Sequence, residues 1–325
     1  MDALTRDAVA ARTSRLASGL GLAVLSATSF GMSGPFAKGL LDAGWSPGSA
    51  VTARILIAAA VLFVPAVISL RGRWGLVRAN VGRIVAYGAI AVAGCQLAFF
   101  NAVDHMQVGV ALLIEYTAPV AVIGWLWFRH SQRPGRLTVV GAAVAAVGLA
   151  LVLDLVSGAQ LDAVGVLWAL AAMVGAAVYW VMSADDDNGL PALVLAAGGL
   201  LCGGAMLLVA GLVGIVPLAA PRTDVIFADT SVPWWLPVLG LGVITAALAY
   251  VAGISASRRL GSRLASFVGL TEVVSALFFA WLLLSETPGI IQLAGGVLIL
   301  VGVIVVKLGE PSESAGLLDE GAVAA

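Results

Sequence analysis

The sequence predicts an all-α integral membrane protein: ten transmembrane helices arranged as two inverted five-helix repeats. Three observations predict it. The chain is too apolar for a soluble domain, hydrophobic runs of spanning length recur along it, and its second half repeats its first. Of 325 residues 61% are hydrophobic and 11% charged, with a mean hydropathy of +1.06, where soluble domains run near half apolar and a quarter charged.

A helix that crosses a bilayer needs ~20 mainly apolar residues. Ten such runs, separated by short polar or Gly/Pro-bearing breaks, fall at 19–39, 50–70, 84–103, 108–128, 137–154, 163–183, 190–216, 235–257, 264–285 and 290–308. The first follows Arg6, Arg12 and Arg15 and runs past Pro35 to Lys38 with no small-residue cleavage site, so it reads as a retained helix and not a signal peptide. The connection 217–234 and the tails 1–18 and 310–325, both expected in the cytoplasm, are too short for a soluble domain. Cys95 and Cys202 lie inside predicted helices without metal-ligand spacing and are expected as free thiols. No metal or cofactor is expected.

Sliding the chain against itself by 154 residues pairs the third to fifth helices with the eighth to tenth. Gly88 meets Gly242, Thr117 meets Thr271, Trp127 meets Trp281, and Ser131, Pro134, Gly135, Gly141 and Gly148 meet Ser285, Pro288, Gly289, Gly295 and Gly302. The first helix matches the sixth at an offset of 144 (Gly21 with Gly165, Gly31 with Gly175), which places an insertion of about ten residues before the eighth helix, in the 217–234 connection. Five helices per repeat is odd, so equivalent helices must cross in opposite directions.

Charge supports that inversion. With the N-terminus in the cytoplasm, every basic residue except Lys38, Arg54 and Arg222 falls on the inner side, as the positive-inside rule requires of an inner (plasma) membrane protein. The acidic loop "ADDDNG" at 184–189 is the exception. Inverted repeats are a transporter architecture, with the substrate site near the midplane between the halves.

Three passages carry a family resemblance over residues 19–309: "PFAKGLLDAGWSPGSAVTARILIAAAVLF" with Lys38 and Arg54, "ALLIEYTAPVAV" with Glu115 and Pro119, and "GLTEVVSALFFAWLLLSETP" with Glu272 and Glu286. They resemble EamA-type carriers of the drug/metabolite transporter superfamily, and look most like the threonine/homoserine exporter branch. The resemblance implies two EamA-type repeats, 19–158 and 162–309, and export of a small metabolite. In that family the ninth-helix motif reads Glu-Pro, whereas here Val273 follows Glu272; Gln132 stands where the second repeat has Glu286.

A charge at mid-bilayer costs roughly 2.5 to 3.5 kcal/mol on insertion scales, so it faces a partner or a wet cavity. Pro119 leaves the Glu115 carbonyl without its helical partner and tends to bend the helix there. Glu272 aligns with Ala118, three residues from Glu115, so both carboxylates should face the interface between halves. Gln96 aligns with Tyr250, and Asn101 lies toward the outer end of the same face. Arg54 has no basic counterpart; with Lys38 it is placed to take a substrate carboxylate, while Glu115 or Glu272 takes an ammonium and exchanges it for a proton. The alternatives are an interhelical Arg54–Glu115 ion pair, a snorkelling Lys38, and Gln96 and Tyr250 as interhelical hydrogen-bond donors.

The chain has only His105 and His130, and no H-E-x-x-H, G-x-S-x-G or phosphate-binding loop, which speaks against an enzyme or an ATP-driven pump. With a net charge of −1 no basic surface calls for nucleic acid. The expected partners are a small-molecule substrate, protons and the bilayer. A secondary active exporter of amino acids fits best. The alternatives are a multidrug, nucleobase or sugar-derivative carrier, or a passive amino-acid facilitator. A cationic-drug pump would surround its glutamates with aromatics, and Tyr116, Trp125 and Trp180 are available for that.

Overall fold

A computed structural model describes residues 3–118, 135–152, 162–185, 189–269, 271–287 and 289–308. Pro119, Trp125, Gln132, the histidine at 130 and the C-terminal tail lie outside the described residues. The described chain is mostly helical. The first half contains α1 (Ala3–Gly31), α2 (Ser33–Asp42), α3 (Pro47–Leu70), the short α4 (Trp74–Ala79) and α5 (Val81–Ala86), a π-helical segment Tyr87–Gly94, α6 (Cys95–His105), α7 (Val108–Glu115) and α8 (Arg136–Val152). The second contains α9 (Ala163–Ala184), α10 (Ala192–Leu212), a hairpin of β1 (Val225–Phe227) and β2 (Thr230–Val232), α11 (Trp235–Leu239), a π-helical segment Gly240–Leu248, α12 (Ala249–Gly269), α13 (Thr271–Leu284) and α14 (Ile290–Leu308).

Six helical stretches among the described residues are long and apolar enough to cross a membrane: Arg15–Asp42, Pro47–Leu70, Val81–His105, Ala163–Ala184, Ala192–Leu212 and Trp235–Gly261. Shorter apolar helices lie at Arg136–Gly148, Thr271–Leu284 and Leu293–Gly302. Large apolar side chains such as Val64, Ile68, Leu167 and Val209 point outward and exposed. This is the reverse of a soluble surface and suits a protein whose solvent is lipid tails. The chain is a multi-pass membrane protein.

The halves pack on each other through matching helices. α1 lies on α12 and α13, and α9 lies correspondingly on α6 and α7; α3 packs on α10, and α8 on α14. Small residues bring the backbones close, as is usual between membrane helices. A Cβ placed on Gly148 would lie 2.6 Å from the Gly295 carbonyl oxygen, and one on Gly302 would lie 2.6 Å from that of Gly141. Moving forward along α8 therefore means moving backward along α14. These two equivalent helices run antiparallel, and the contact is the same from either side.

The π-helical segments repeat as well, Tyr87–Gly94 sitting 153 to 154 residues before Gly240–Leu248. A π turn holds an extra residue relative to the α-helical ladder, loosens its hydrogen bonding, and occurs frequently at functional sites.

The inserted connection before α11 forms the hairpin, paired Val225 to Val232 and Phe227 to Thr230. It caps the ends of α2 and α13. Phe227 stacks toward Phe36 with ring centroids 6.0 Å apart, and the Ala228 N–H donates to the Leu283 carbonyl at 2.9 Å. Upstream of the hairpin, Trp45 Nε1 donates to the Pro221 carbonyl and Ser46 Oγ to that of Pro217. At another helix end, Arg83 meets Asp185 at 2.5 Å and donates to the Met182 carbonyl. Asp185, in the acidic 184–189 stretch, thus has a basic partner from the other repeat.

α13 starts at Thr271, later than the span predicted from 264. The apolar residues before it continue α12, which is interrupted at Gly261, where φ is 78°. Glu272 therefore occupies the first turn of its helix and not its interior.

Candidate transport site

Between the halves lies a cavity of about 50 Å³. Its lining comes from α1 (Phe30), the π-helical segment Tyr87–Gly94 (Ala91) continued by α6 (Cys95, Gln96), α7 and the turn after it (Glu115, Tyr116, Ala118), and from their counterparts α9 (Ala176, Tyr179, Trp180), α12 (Tyr250) and α13 (Glu272). Each repeat supplies its first, third and fourth helices. Of the residues singled out in sequence, Glu115, Glu272, Gln96, Tyr116 and Tyr250 meet here.

The two carboxylates are held differently. Tyr116 Oη donates a short hydrogen bond to Glu272 Oε2. Glu115 Oε1 faces the Cys95 thiol at 3.6 Å, a weak donor. Both cysteines are free, with Cys95 buried and Cys202 half-buried. Glu115 is the last residue of α7, and the chain then turns through Tyr116 and Thr117, whose N–H reaches only to Ile114.

Arg54 is fully buried and does not line the cavity. Its Nη1 donates to Ser33 Oγ at 2.6 Å and to Gln96 Oε1, and its Nη2 donates to the Thr245 carbonyl at 2.5 Å. The rings of Phe30 and Phe100 lie 5.8 and 5.6 Å from the guanidinium carbon, within cation–π range. Among the described residues no ion pair joins Arg54 to Glu115 or Glu272. The cation sits one side chain behind the wall, with Gln96 between it and the cavity.

Lys38 and Asn101 are outside the cavity. Lys38 pairs with Asp42 one helical turn away at 3.2 Å, because both sit near the end of α2 where water reaches them. Asn101 Nδ2 donates to the Leu97 carbonyl in its own helix at 2.7 Å. Sequence reasoning missed Phe30 and Tyr179. Tyr179 stacks edge-on with Trp180 and Tyr250, at 4.9 and 5.7 Å, and its hydroxyl is buried without a hydrogen-bond partner among the described residues. The signal available was the pair Tyr179–Trp180 in an otherwise aliphatic helix, of which only Trp180 was weighed.

A carboxylate pair walled by aromatic faces suits a cation, since ring quadrupoles and anions attract the same sign of charge. Among the described residues no cluster of His, Cys, Asp and Glu is arranged to hold a metal.

None of the curated proteins compared matches the chain. A solved crystal structure of a protein resembles it with a TM-score of 0.63 at 20% identity, covering 91% of this chain and 96% of that chain; at this identity the likeness shows the fold alone. The EamA-like transporter family matches twice, over residues 17–154 and 163–308. The chain belongs to the EamA-like transporter family and is a membrane transporter of the drug/metabolite superfamily.

Proposed function

We propose that this protein is a secondary active transporter that exports small metabolites bearing an ammonium group, exchanging them for protons by alternating access. Ten membrane-crossing helices in two inverted repeats, 19–158 and 162–309, form the carrier. Both termini lie in the cytoplasm, as the distribution of basic residues supports.

The observation that carries the reading is the cavity wall: Glu115 and Glu272 beside Phe30, Tyr116, Tyr179, Trp180 and Tyr250, with no cationic side chain among the described residues that line it. Substrate ammonium and proton compete for carboxylate charge at this wall. Drug-sized ligands occupy pockets of about 300 Å³ or more, far above the 50 Å³ present in this conformation, so the site suits a small headgroup.

Amino acids of the threonine or homoserine kind are the second reading. Arg54 favours it, because its Nε makes no hydrogen bond among the described residues and it stands directly behind Gln96. A rotation of Gln96 would bring a substrate carboxylate to that cation.

Counterflow in proteoliposomes separates these readings. Labelled methylammonium, threonine and homoserine are offered to vesicles preloaded with the same unlabelled compound, with wild type and Glu115→Gln. Saturable methylammonium counterflow lost in the variant is expected. Uptake of threonine or homoserine alone would select the amino-acid reading, and full transport by the variant would remove Glu115 from the site.

A further inference from the structure

Two glutamates face one cavity, but they occupy opposite ends of helices. Glu272 lies in the first turn of α13, where the helix presents about half an elementary positive charge. Glu115 closes α7, where the helix presents negative partial charge, although the Leu112 and Ile114 carbonyls there accept from the Tyr116 and Thr117 N–H groups. The field of its own helix therefore favours an anion at Glu272 and disfavours one at Glu115.

Hydrogen bonding points the same way. A phenol donates to Glu272, whereas among the described residues a thiol at 3.6 Å is the side-chain donor that reaches Glu115, and hydrogen bonds to an ionised acceptor from a good donor are the strong ones. Among the described residues the remaining charged and titratable groups around the pair are Arg54 from α3, Tyr179 from α9 and Tyr250 from α12, besides Cys95 and Tyr116 already named. Arg54 alone among them is a permanent cation. It is buried, donates from both Nη atoms, and acts electrostatically on both carboxylates across Gln96.

We infer that the two glutamates divide the work: Glu272 stays ionised as the fixed counter-charge of Arg54, and Glu115 alone exchanges proton for substrate ammonium. This rests on the proposed carrier function and adds its stoichiometry. On one side of the membrane a substrate ammonium enters and the Glu115 carboxyl gives its proton to water. On the other side the ammonium leaves and the Glu115 carboxylate takes a proton from water. One proton moves against one ammonium, no covalent bond other than O–H changes, and the loaded and empty sites carry the same net charge.

The test has a spectroscopic and a transport arm. Infrared difference spectra of the detergent-solubilised, substrate-free protein across a pH titration report the C=O band of a protonated carboxyl. A band present in wild type and missing in Glu115→Gln is expected; Glu115→Gln keeps the Arg54–Glu272 charge balance and should fold. A band that survives Glu115→Gln and disappears in Glu272→Gln would overturn the assignment.

In proteoliposomes, proton uptake counted against labelled methylammonium should give one for one with no net charge movement, and a ratio of two would mean that both glutamates exchange. The charge-balanced double variant Arg54→Gln/Glu272→Gln should keep at least a tenth of the exchange rate, and Arg54→Gln/Glu115→Gln should lose it more than a hundredfold. Equal loss in both doubles would make Arg54 a structural residue and defeat the inference. If the infrared assignment holds but wild type moves no methylammonium, the substrate class fails and the division between the glutamates stands.

Discussion

Ala91 and Thr245 occupy the same position in the two repeats, and each gives its backbone carbonyl to a side chain of the opposite half. Tyr250 Oη donates to the Ala91 carbonyl at 3.3 Å, and Arg54 Nη2 to the Thr245 carbonyl at 2.5 Å. Both carbonyls lie within the π-helical segments, where the backbone ladder is loosened and an acceptor is available to a neighbour. The two halves are thus joined at matched points, one beside the cavity and one at the buried cation.

Tyr250→Phe removes one of these ties and leaves the Ala91 carbonyl without its side-chain donor. A loss of about 1 kcal/mol in stability is expected, read as a lowered unfolding temperature in detergent. Gln96→Leu should cost more, about 1–3 kcal/mol, because it deprives a buried charge of an acceptor.

The helix crossings predict a graded glycine series. Gly148→Ala and Gly302→Ala drive a methyl against backbone of the facing helix, at 2.6 and 2.5 Å, and should each destabilise by about 1–3 kcal/mol. Gly21→Ala meets nothing within 4 Å and should stabilise slightly, since alanine is the better helix former by about 1 kcal/mol. Thermal unfolding of the three variants side by side checks the order.

Glu286 sits in the turn between α13 and α14, where burial pushes its carboxyl above the ordinary value despite the Val108 N–H and the nearby Lys38. Because its folded-state value is raised, ionisation opposes folding. Its contribution to stability is complete below the ordinary carboxylate range and is lost as pH rises through the folded-state value. Glu286→Gln should therefore flatten the pH dependence in that window and be no less stable than wild type at neutral pH. Unfolding temperatures measured from acid to neutral pH decide this.

The hairpin depends on Phe227, which is 9% exposed and packs where Gly39 leaves room; a Cβ on Gly39 would lie 2.4 Å from the ring. Phe227→Ala should cost about 3 kcal/mol of local stability and expose the 217–234 connection to limited proteolysis. Gly39→Ala should have the same effect, since it displaces the ring from the other side.

Sequence by itself determined the membrane character and the two matched halves, and it singled out six residues that line the cavity, Gln96, Glu115, Tyr116, Trp180, Tyr250 and Glu272. These rest on additive or periodic properties: apolar runs of spanning length, a constant offset between repeats, and the cost of a charge in hydrocarbon, which marks Glu115 and Glu272 wherever the helices go. Tertiary structure alone decided which way each side chain faces. Arg54 reads in sequence as a substrate ligand, yet acceptors from three separate elements, Ser33, Gln96 and the Thr245 carbonyl, converge on it behind the wall. Lys38 reads as its helper and instead reaches Asp42 near water. Phe30 and Tyr179 become cavity residues only because α1 and α9 cross the opposite halves there. The division between the two glutamates likewise needed the helix ends. Residue type tells that a charge must be compensated; only the packed fold tells which group compensates it.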